Sequence, residues 1–146
     1  MDLTSFKNEW LFIVFVVLNA FENRVCLDFL EREKGWDIFS CLYATAPLRT
    51  AADIKNVFNL IEPGVCDFAV AVTHYDLPVH QALWRNADGT LRAVMPEMIK
   101  KQSNDVQEIV VDNGSTYVLS VPGFVKEKNF FGSNLRAYVM PRERSQ

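Results

Sequence analysis

Thr45 and Arg49 are the first side chains in this sequence placed to do chemistry. They lie in Leu42-Tyr-Ala-Thr-Ala-Pro-Leu-Arg49, where an apolar run gives way to a proline turn and then to a helix start. A hydroxyl and a guanidinium at such a turn can hold a phosphate or a carboxylate. The plainer alternative is a turn hydroxyl and a surface ion pair, and position alone does not choose between them. His74 and His80 invite a metal or proton-transfer role, because histidine as a residue type changes charge near neutral pH. Apart from Asp76, neither has a cysteine, histidine or carboxylate at ligand spacing on a shared face, so they read as ordinary loop histidines. Lys100 and Lys101 form a solvated charge run that, with Asn104 and Asp105, could make a polar arm. Phe130-Phe131 reads as core before it reads as a ligand wall. No nucleophile elbow, phosphate-binding P-loop or dinucleotide glycine motif is present.

The elements that must position these groups follow from periodicity and turn chemistry. Residues 1–21 resist typing, because Ile13, Val14, Val16 and Val17 favour a strand while the length suits either state. From Glu22 to Lys34 an amphipathic helix is expected, ended by Gly35. Asp37 to Tyr43 reads as a short buried strand. Thr50-Ala-Ala-Asp53 then has the form of a capping box, followed by a core stripe of Ile54, Val57, Phe58 and Ile61 and a stop at Glu62-Pro-Gly64. Cys66 to Thr73 is a second apolar strand, so strand, helix and strand suggest a parallel, right-handed βαβ unit. In an open α/β sheet, ligands bind at the carboxyl ends of the strands, which makes 42–50 the rim of a site.

Beyond residue 80 the character changes. Gln81–Arg85 and Thr90–Val94 flank Asn86-Ala-Asp-Gly89, a hairpin with a glycine-containing turn. Within 108–121, Asn113-Gly114 signals either a second hairpin or one strand whose glycine admits a close approach. Ser120 and Pro122 start a short helix, and Leu135 to Met140 reads as a final strand.

Bulk composition sets outer limits. At 146 residues, 49% apolar and 23% charged, the chain is expected to be a single globular domain. A net charge of −3 gives no electrostatic case for nucleic acid. Cys26, Cys41 and Cys66 are odd in number and sit in apolar segments, which suits reduced core thiols and a cytoplasmic location. The apolar run from Trp10 to Leu18 is about half of the roughly 20 residues a membrane helix needs, and no positive segment precedes it. A buried element, a covered sheet edge or a subunit contact is therefore expected there, and no membrane role.

Several motifs in order give the chain a further reading. Leu42-Tyr-Ala-Thr-Ala-Pro-Leu-Arg49 with the following Thr50-x-x-Asp53-Ile54, Ser103-Asn-Asp-Val106, Asp112-Asn-Gly-Ser-Thr-Tyr117, Phe130-Phe131 and Tyr138-Val-Met-Pro-Arg-Glu-Arg-Ser145 resemble the ordered motifs of acylneuraminate cytidylyltransferases. These are the synthetases of CMP-activated sialic, legionaminic and pseudaminic acids. The resemblance runs from about Asp37 to Gln146, with 1–36 a divergent amino-terminal segment. It implies the carboxyl-terminal part of a Rossmann-like α/β nucleotidyltransferase domain, with a mixed, mostly parallel sheet and a β-hairpin dimerisation arm at 85–108. It also implies transfer of CMP from CTP to a nine-carbon 2-keto sugar acid, with Mg²⁺ as cofactor, in a homodimer or higher homo-oligomer. Sugar- or nucleotide-side contacts would come from Thr45, Arg49, Asn104, Asp105, Asn113, Gly114 and Tyr117. Phe130 and Phe131 would wall the sugar's acyl group, and 108–121 would be one strand.

The same resemblance carries departures. The family's opening loop, which holds the CTP phosphates with amides, Arg and Lys, has no counterpart in residues 1–36. Its D-x-D metal motif follows an E-R-S that in this chain is Glu143-Arg-Ser145, and a single residue, Gln146, comes after that serine. Tyr43 stands where the family commonly has glutamine, Ala46 where it has serine and Asn104 where it has glutamine. The expectation is a cytidylyltransferase-like chain that is inactive alone, with no metal ligands and no assignable catalytic residue. The alternative is a sugar- or nucleotide-binding, oligomerising remnant.

Overall fold

The structure is a computed structural model that describes residues 10–15, 22–32 and 35–144. These fall into two compact units, one up to Thr73 and again from Asp112, the other His74–Val111. The first is built on a five-stranded sheet. Its strands are β1 (Trp10–Phe15), β2 (Ile38–Tyr43), β3 (Phe68–His74), β6 (Val110–Ser120) and β7 (Leu135–Val139), in the order β1-β2-β6-β3-β7. β1 pairs with β2 in parallel and β3 with β7 in parallel, while β6 runs antiparallel to β2.

The expected order of strand, helix and strand is present with both strands in one sheet, and β6 from much later in the chain lies between β2 and β3. The apolar amino-terminal run resolves over residues 10–15 into an edge strand beside β2, and residues 16–18 lie outside the described residues. The first helix, α1 (Glu22–Arg32), buries Cys26 and Leu30; the expected helix residues 33 and 34 lie outside the described residues. The hairpin reading of Asn113-Gly114 does not hold: β6 is one strand of 11 residues. All three cysteines are buried thiols and none forms a disulfide among the described residues. No helix among the described residues is long and apolar enough to cross a membrane.

Strand alternation divides the sheet into two faces with different chemistry. Ile38 on β2 and Val118 on β6 point to one side, where they pack with Ala69, Ala71, Val57 and Met140. Val57 belongs to α2 (Ala51–Phe58), whose apolar stripe covers this face together with Phe58 and Ile61. Phe39, Cys41 and Tyr43 on β2, with Tyr117 and Leu119 on β6, point to the other side. There α3 (Val121–Glu127) and the loop after it supply Phe124 and Phe130. α3 starts as expected, with the Ser120 hydroxyl accepting from Gly123 N–H and proline in its first turn.

The capping box at α2 is present and carries more than a cap. Thr50 N–H and Oγ1–H donate to Asp53 Oδ2 at 2.9 and 2.7 Å, and Asp53 N–H donates to Thr50 Oγ1 at 3.3 Å. Arg144, in the short turn Arg142–Arg144, donates to both Asp53 oxygens, at 3.1 Å from Nε and 2.7 Å from Nη2. Tyr138 O–H of β7 adds a bond at 3.2 Å. Asp53 is 0% exposed. Burial by itself would raise its pKa, but the bonds from Arg144 and Thr50 and the Arg144 charge outweigh it and hold the carboxyl well below its ordinary range.

The second unit holds a short turn at Val79–Gln81 and a two-stranded hairpin, β4 (Leu83–Arg85) and β5 (Leu91–Ala93). The turn forms where the sequence predicts it. Thr90 N–H and hydroxyl both donate to Asp88 Oδ1, and Asn86 Nδ2–H donates to the Thr90 hydroxyl. Leu83, Trp84 and Leu91 on this hairpin are exposed.

Two predictions follow from this packing. Arg144 is 30% exposed and can turn to water, whereas Asp53 cannot. Asp53→Asn is therefore expected to lose about 1–3 kcal/mol, and Arg144→Met, which strands a buried carboxylate, is expected to melt lower still. Arg144→Met melting at or above Asp53→Asn would contradict this. Because the Asp53 pKa is lowered by folding, its contribution is complete above the unfolded carboxyl value of about 4 and lost as pH falls below it. The stability gap between wild type and Asp53→Asn should thus close on acidification below about pH 4. Separately, a Cβ on Gly132 would meet the fully buried Phe68 ring at 2.1–2.4 Å. Gly132→Ala should cost about 1–3 kcal/mol in denaturant unfolding.

Candidate functional site

The rim after β2 is built where the β2–β6 ladder ends. Its last paired residues are Leu42 and Thr116, so that ladder stops just short of the carbonyls of Tyr43, which still pairs with Phe15 on β1, and Ser115. Arg49 meets both: its Nη1–H donates to Tyr43 O at 3.0 Å and to Ser115 O at 2.6 Å. One guanidinium nitrogen thereby ties the two strands together just past the end of their ladder. Burial lowers the Arg49 pKa from its ordinary value, but a guanidinium stays charged near neutral pH. Neither sequence reading of Arg49, an anion clamp or a surface ion pair, foresaw these carbonyls.

The next turn of β6 is shaped by side chains folding back on their own backbone. Asn113 is buried; its Oδ1 accepts from Ser115 N–H and hydroxyl, and its Nδ2–H points at Met140 Sδ, 2.8 Å away. Gly114 adopts φ +63, a left-handed value that favours glycine, and its N–H donates to Asp112 Oδ1 at 2.9 Å. The other Asp112 oxygen accepts from Tyr117 O–H at 2.5 Å. Burial, the bond to Asp112 and the Asp112 charge all push the Tyr117 pKa up, so its hydroxyl remains a donor.

Tyr117 is the centre of the aromatic side of the rim. Because Cys41 pairs with Tyr117, Tyr43 lies diagonally across from it on the same face, within reach of an aromatic ring. The two rings lie 5.2 Å apart. Phe130 meets the Tyr117 ring edge-on at 5.4 Å and Phe131 at 6.1 Å. Phe130 also touches Phe124 at 5.3 Å, and Phe124 touches Phe39 at 5.0 Å. An unbroken series of rings thus runs from the buried Phe39 to Phe131, which is 48% exposed. Asn129 brackets Phe131, accepting its N–H and donating to its carbonyl, both at 3.1 Å. Gly132, against Phe68, fixes the chain just beyond.

Among the residues expected from the sequence, the structure therefore brings Tyr117, Phe130 and Phe131 into one aromatic group, while Arg49 and Asn113 hold the backbone beside it. Thr45 lies exposed in the turn after β2. Tyr43, Asp112 and Asn129 were not singled out as contacts. Asn129 directly before the phenylalanine pair was the available signal, since an Asn side chain readily bonds backbone two residues on.

Asn104 and Asp105 belong to the second unit, exposed in the turn Ser103–Asp105. That unit has its own open groove of about 300 Å³, lined by His74, Tyr75, Asp76, His80 and Glu108 among others. His74 Nδ1 lies 3.3 Å from Glu108 Oε1. His80, read from the sequence as a loop residue, is only 3% exposed and its Nε2 has no hydrogen-bond partner among the described residues. Among the described residues, no three His, Cys, Asp or Glu side chains are grouped to hold a metal ion. Asp53 and Asp112 also have both oxygens engaged by protein donors. The described residues thus offer no carboxylate cluster that fits a Mg²⁺ ion.

Comparison with known proteins finds distant relatives. No protein-family model matches the chain. It is 25% identical over 107 residues to the pseudaminic acid cytidylyltransferases of two Campylobacter jejuni strains, of serotypes O:2 and O:23/36. The match takes in 73% of this chain and 46% of each relative, so the chain spans about half the length of the curated relatives it matches. That similarity, with a mixed α/β sheet compatible with a nucleotidyltransferase-like domain, supports a relationship to cytidylyltransferases without selecting a member among them.

Proposed function

We propose that the first unit carries the sugar-side wall of a cytidylyltransferase-like site, whose class of reaction is transfer of CMP from CTP to a nine-carbon 2-keto sugar acid. The observation that carries this reading is the coincidence of two features. The chain is similar to pseudaminic acid cytidylyltransferases over 107 residues, and it has a preorganised aromatic ledge at the carboxyl end of β2. Ledges of this kind bind the C–H faces of sugars, and fixed backbone around them lowers the ordering cost of binding. In this reading Thr45, Asn113, Gly114 and Tyr117 shape the sugar side, and Phe130 and Phe131 take its acyl group.

In the same reading, residues 1–146 bind the sugar acid and do not turn over CTP. The rim groups are bonded to one another, and the described residues supply no clustered carboxylates for a metal. Self-association belongs to the proposal as well, supported by the apolar Leu83, Trp84 and Leu91 exposed on the β4–β5 hairpin.

The purified chain should melt at a higher temperature with a millimolar nine-carbon keto sugar acid, through preferential binding to the folded state. It should release no pyrophosphate above a no-protein control when given CTP, the same acid and Mg²⁺. Pyrophosphate release would refute the inactive reading, and an unchanged melting temperature with every such acid would refute the binding one. Sedimentation should show a dimer or larger species, weakened by Trp84→Arg; a monomer at high concentration would exclude self-association.

A further inference from the structure

We infer that the open groove of the second unit binds a guanidinium group, carried by a small molecule or by an arginine side chain. The inference stands on the second unit alone and does not depend on the sugar-side reading of the rim.

The groove lies between two short segments, 74–80 and 106–109, and has a volume of about 300 Å³. His74 Nδ1 and Glu108 Oε1, 3.3 Å apart, join one segment to the other. A tight turn follows Pro78, where Gln81 N–H donates to Pro78 O at 2.9 Å and Ala82 N–H to Val79 O at 3.0 Å. The turn holds His80 in its buried position.

Charge decides the class of ligand. Asp76 and Glu108 put two carboxylates in the lining, and no lysine or arginine is among the described residues there. An anion would face two like charges, whereas a cation is attracted by both. The Glu108 side chain is 67% exposed, so its carboxylate has room for a second donor beside His74. His80 is an independent sign of a ligand. It lines the groove and is buried, yet its Nε2 has no hydrogen-bond partner among the described residues. With the imidazole proton on Nδ1, Nε2 is an acceptor, and a ligand N–H that bonds it relieves the cost of an unpaired buried atom.

Shape then selects among cations. Among the described residues, no three His, Cys, Asp or Glu side chains converge closely enough to hold a metal ion. Acceptors spread along a groove suit a head whose donors are spread as well. A guanidinium has five N–H groups in one plane, whereas an ammonium is a compact point charge. Tyr75, half-exposed in the same lining, supplies a ring on which such a plane stacks. Leu77, exposed beside it in the sequence, gives apolar surface to the carbon chain that carries the head.

The test uses the whole chain and three probes on one butyl body: butylguanidinium, butylammonium and the neutral butylurea, which is close to the first in shape. Amide NMR titration should show butylguanidinium shifting residues within 74–80 and 106–109 at millimolar concentration. Butylammonium and butylurea should bind at least about tenfold more weakly. Glu108→Gln and Asp76→Asn, both at exposed positions, should each weaken butylguanidinium several-fold and leave butylurea unchanged. His80→Phe, which keeps a buried ring without the nitrogen, should weaken it too; if that variant fails to fold, the two carboxylate variants carry the test. N-acetylarginine amide separates the sources: affinity equal to butylguanidinium supports an arginine side chain, and much weaker binding supports a small free guanidine. No butylguanidinium binding, shifts confined to other residues, equal affinity for butylurea or butylammonium, or unchanged affinity in both carboxylate variants would overturn the inference. So would Zn²⁺ alone binding the same residues more tightly than butylguanidinium.

Discussion

A carboxylate with no exposed surface stands at the start of α2, and the first unit is arranged to tolerate it. An isolated buried charge costs several kcal/mol, so Asp53 is stable only with its full set of partners. Those partners come from three places: Thr50 at the helix cap, Tyr138 in β7 and Arg144 in the terminal turn. Satisfying one side chain therefore fixes the helix start, an edge strand of the sheet and the turn after it as a set. The start of α2 immediately follows the Thr45–Arg49 turn, so the same constraint sets where the rim begins. Val57 and Met140, packed in the same core face, make the arrangement apolar as well as ionic.

The opposite face of the sheet is organised by different forces. There the continuous element is a series of edge-on and tilted rings from Phe39 to Phe131, and such contacts favour defined orientations over loose packing. Arg49 links the two regimes. It lies just before the helix that Asp53 anchors, and it closes the end of the ladder from which the aromatic ledge projects. One face thus holds the fold and the other presents it.

What could be read in the sequence was what is local. Thr50 and Asp53 are three residues apart, and the capping box they predict is present. The Asn86–Thr90 turn is equally local and equally legible. Arg144 lies 91 residues from Asp53, and no spacing rule could pair them, although both fall within the motifs that carry the family resemblance. The strand–helix–strand order was legible too, whereas the insertion of β6 between β2 and β3 is a property of the whole sheet. Asn113-Gly114 shows a local signal that was half right. The pair does carry the positive φ that suits a turn, but Asp112 and Asn113 engage the local amides so that the strand continues. Of the candidate site, the phenylalanine pair was visible and its junction with Tyr117 and Tyr43 was not, since Tyr43 and Tyr117 meet only through strand register.

The chemistry open to this rim follows from which of its groups are already engaged. Tyr117 is held protonated and Asp112 accepts at both oxygens, so neither is placed to take a proton from a substrate. Arg49 is charged, but one of its nitrogens is committed to backbone carbonyls. A surface whose polar groups satisfy one another can contribute shape, exclusion of water and orientation. Those contributions are large when the geometry is rigid, because positioning alone can supply a major share of a rate enhancement. In a cytidylyltransferase-like site such a wall would decide which sugar is held in line, leaving the charge of the phosphates to other groups. The self-satisfied polar network of this rim therefore offers a ligand shape and orientation more than free donors and acceptors.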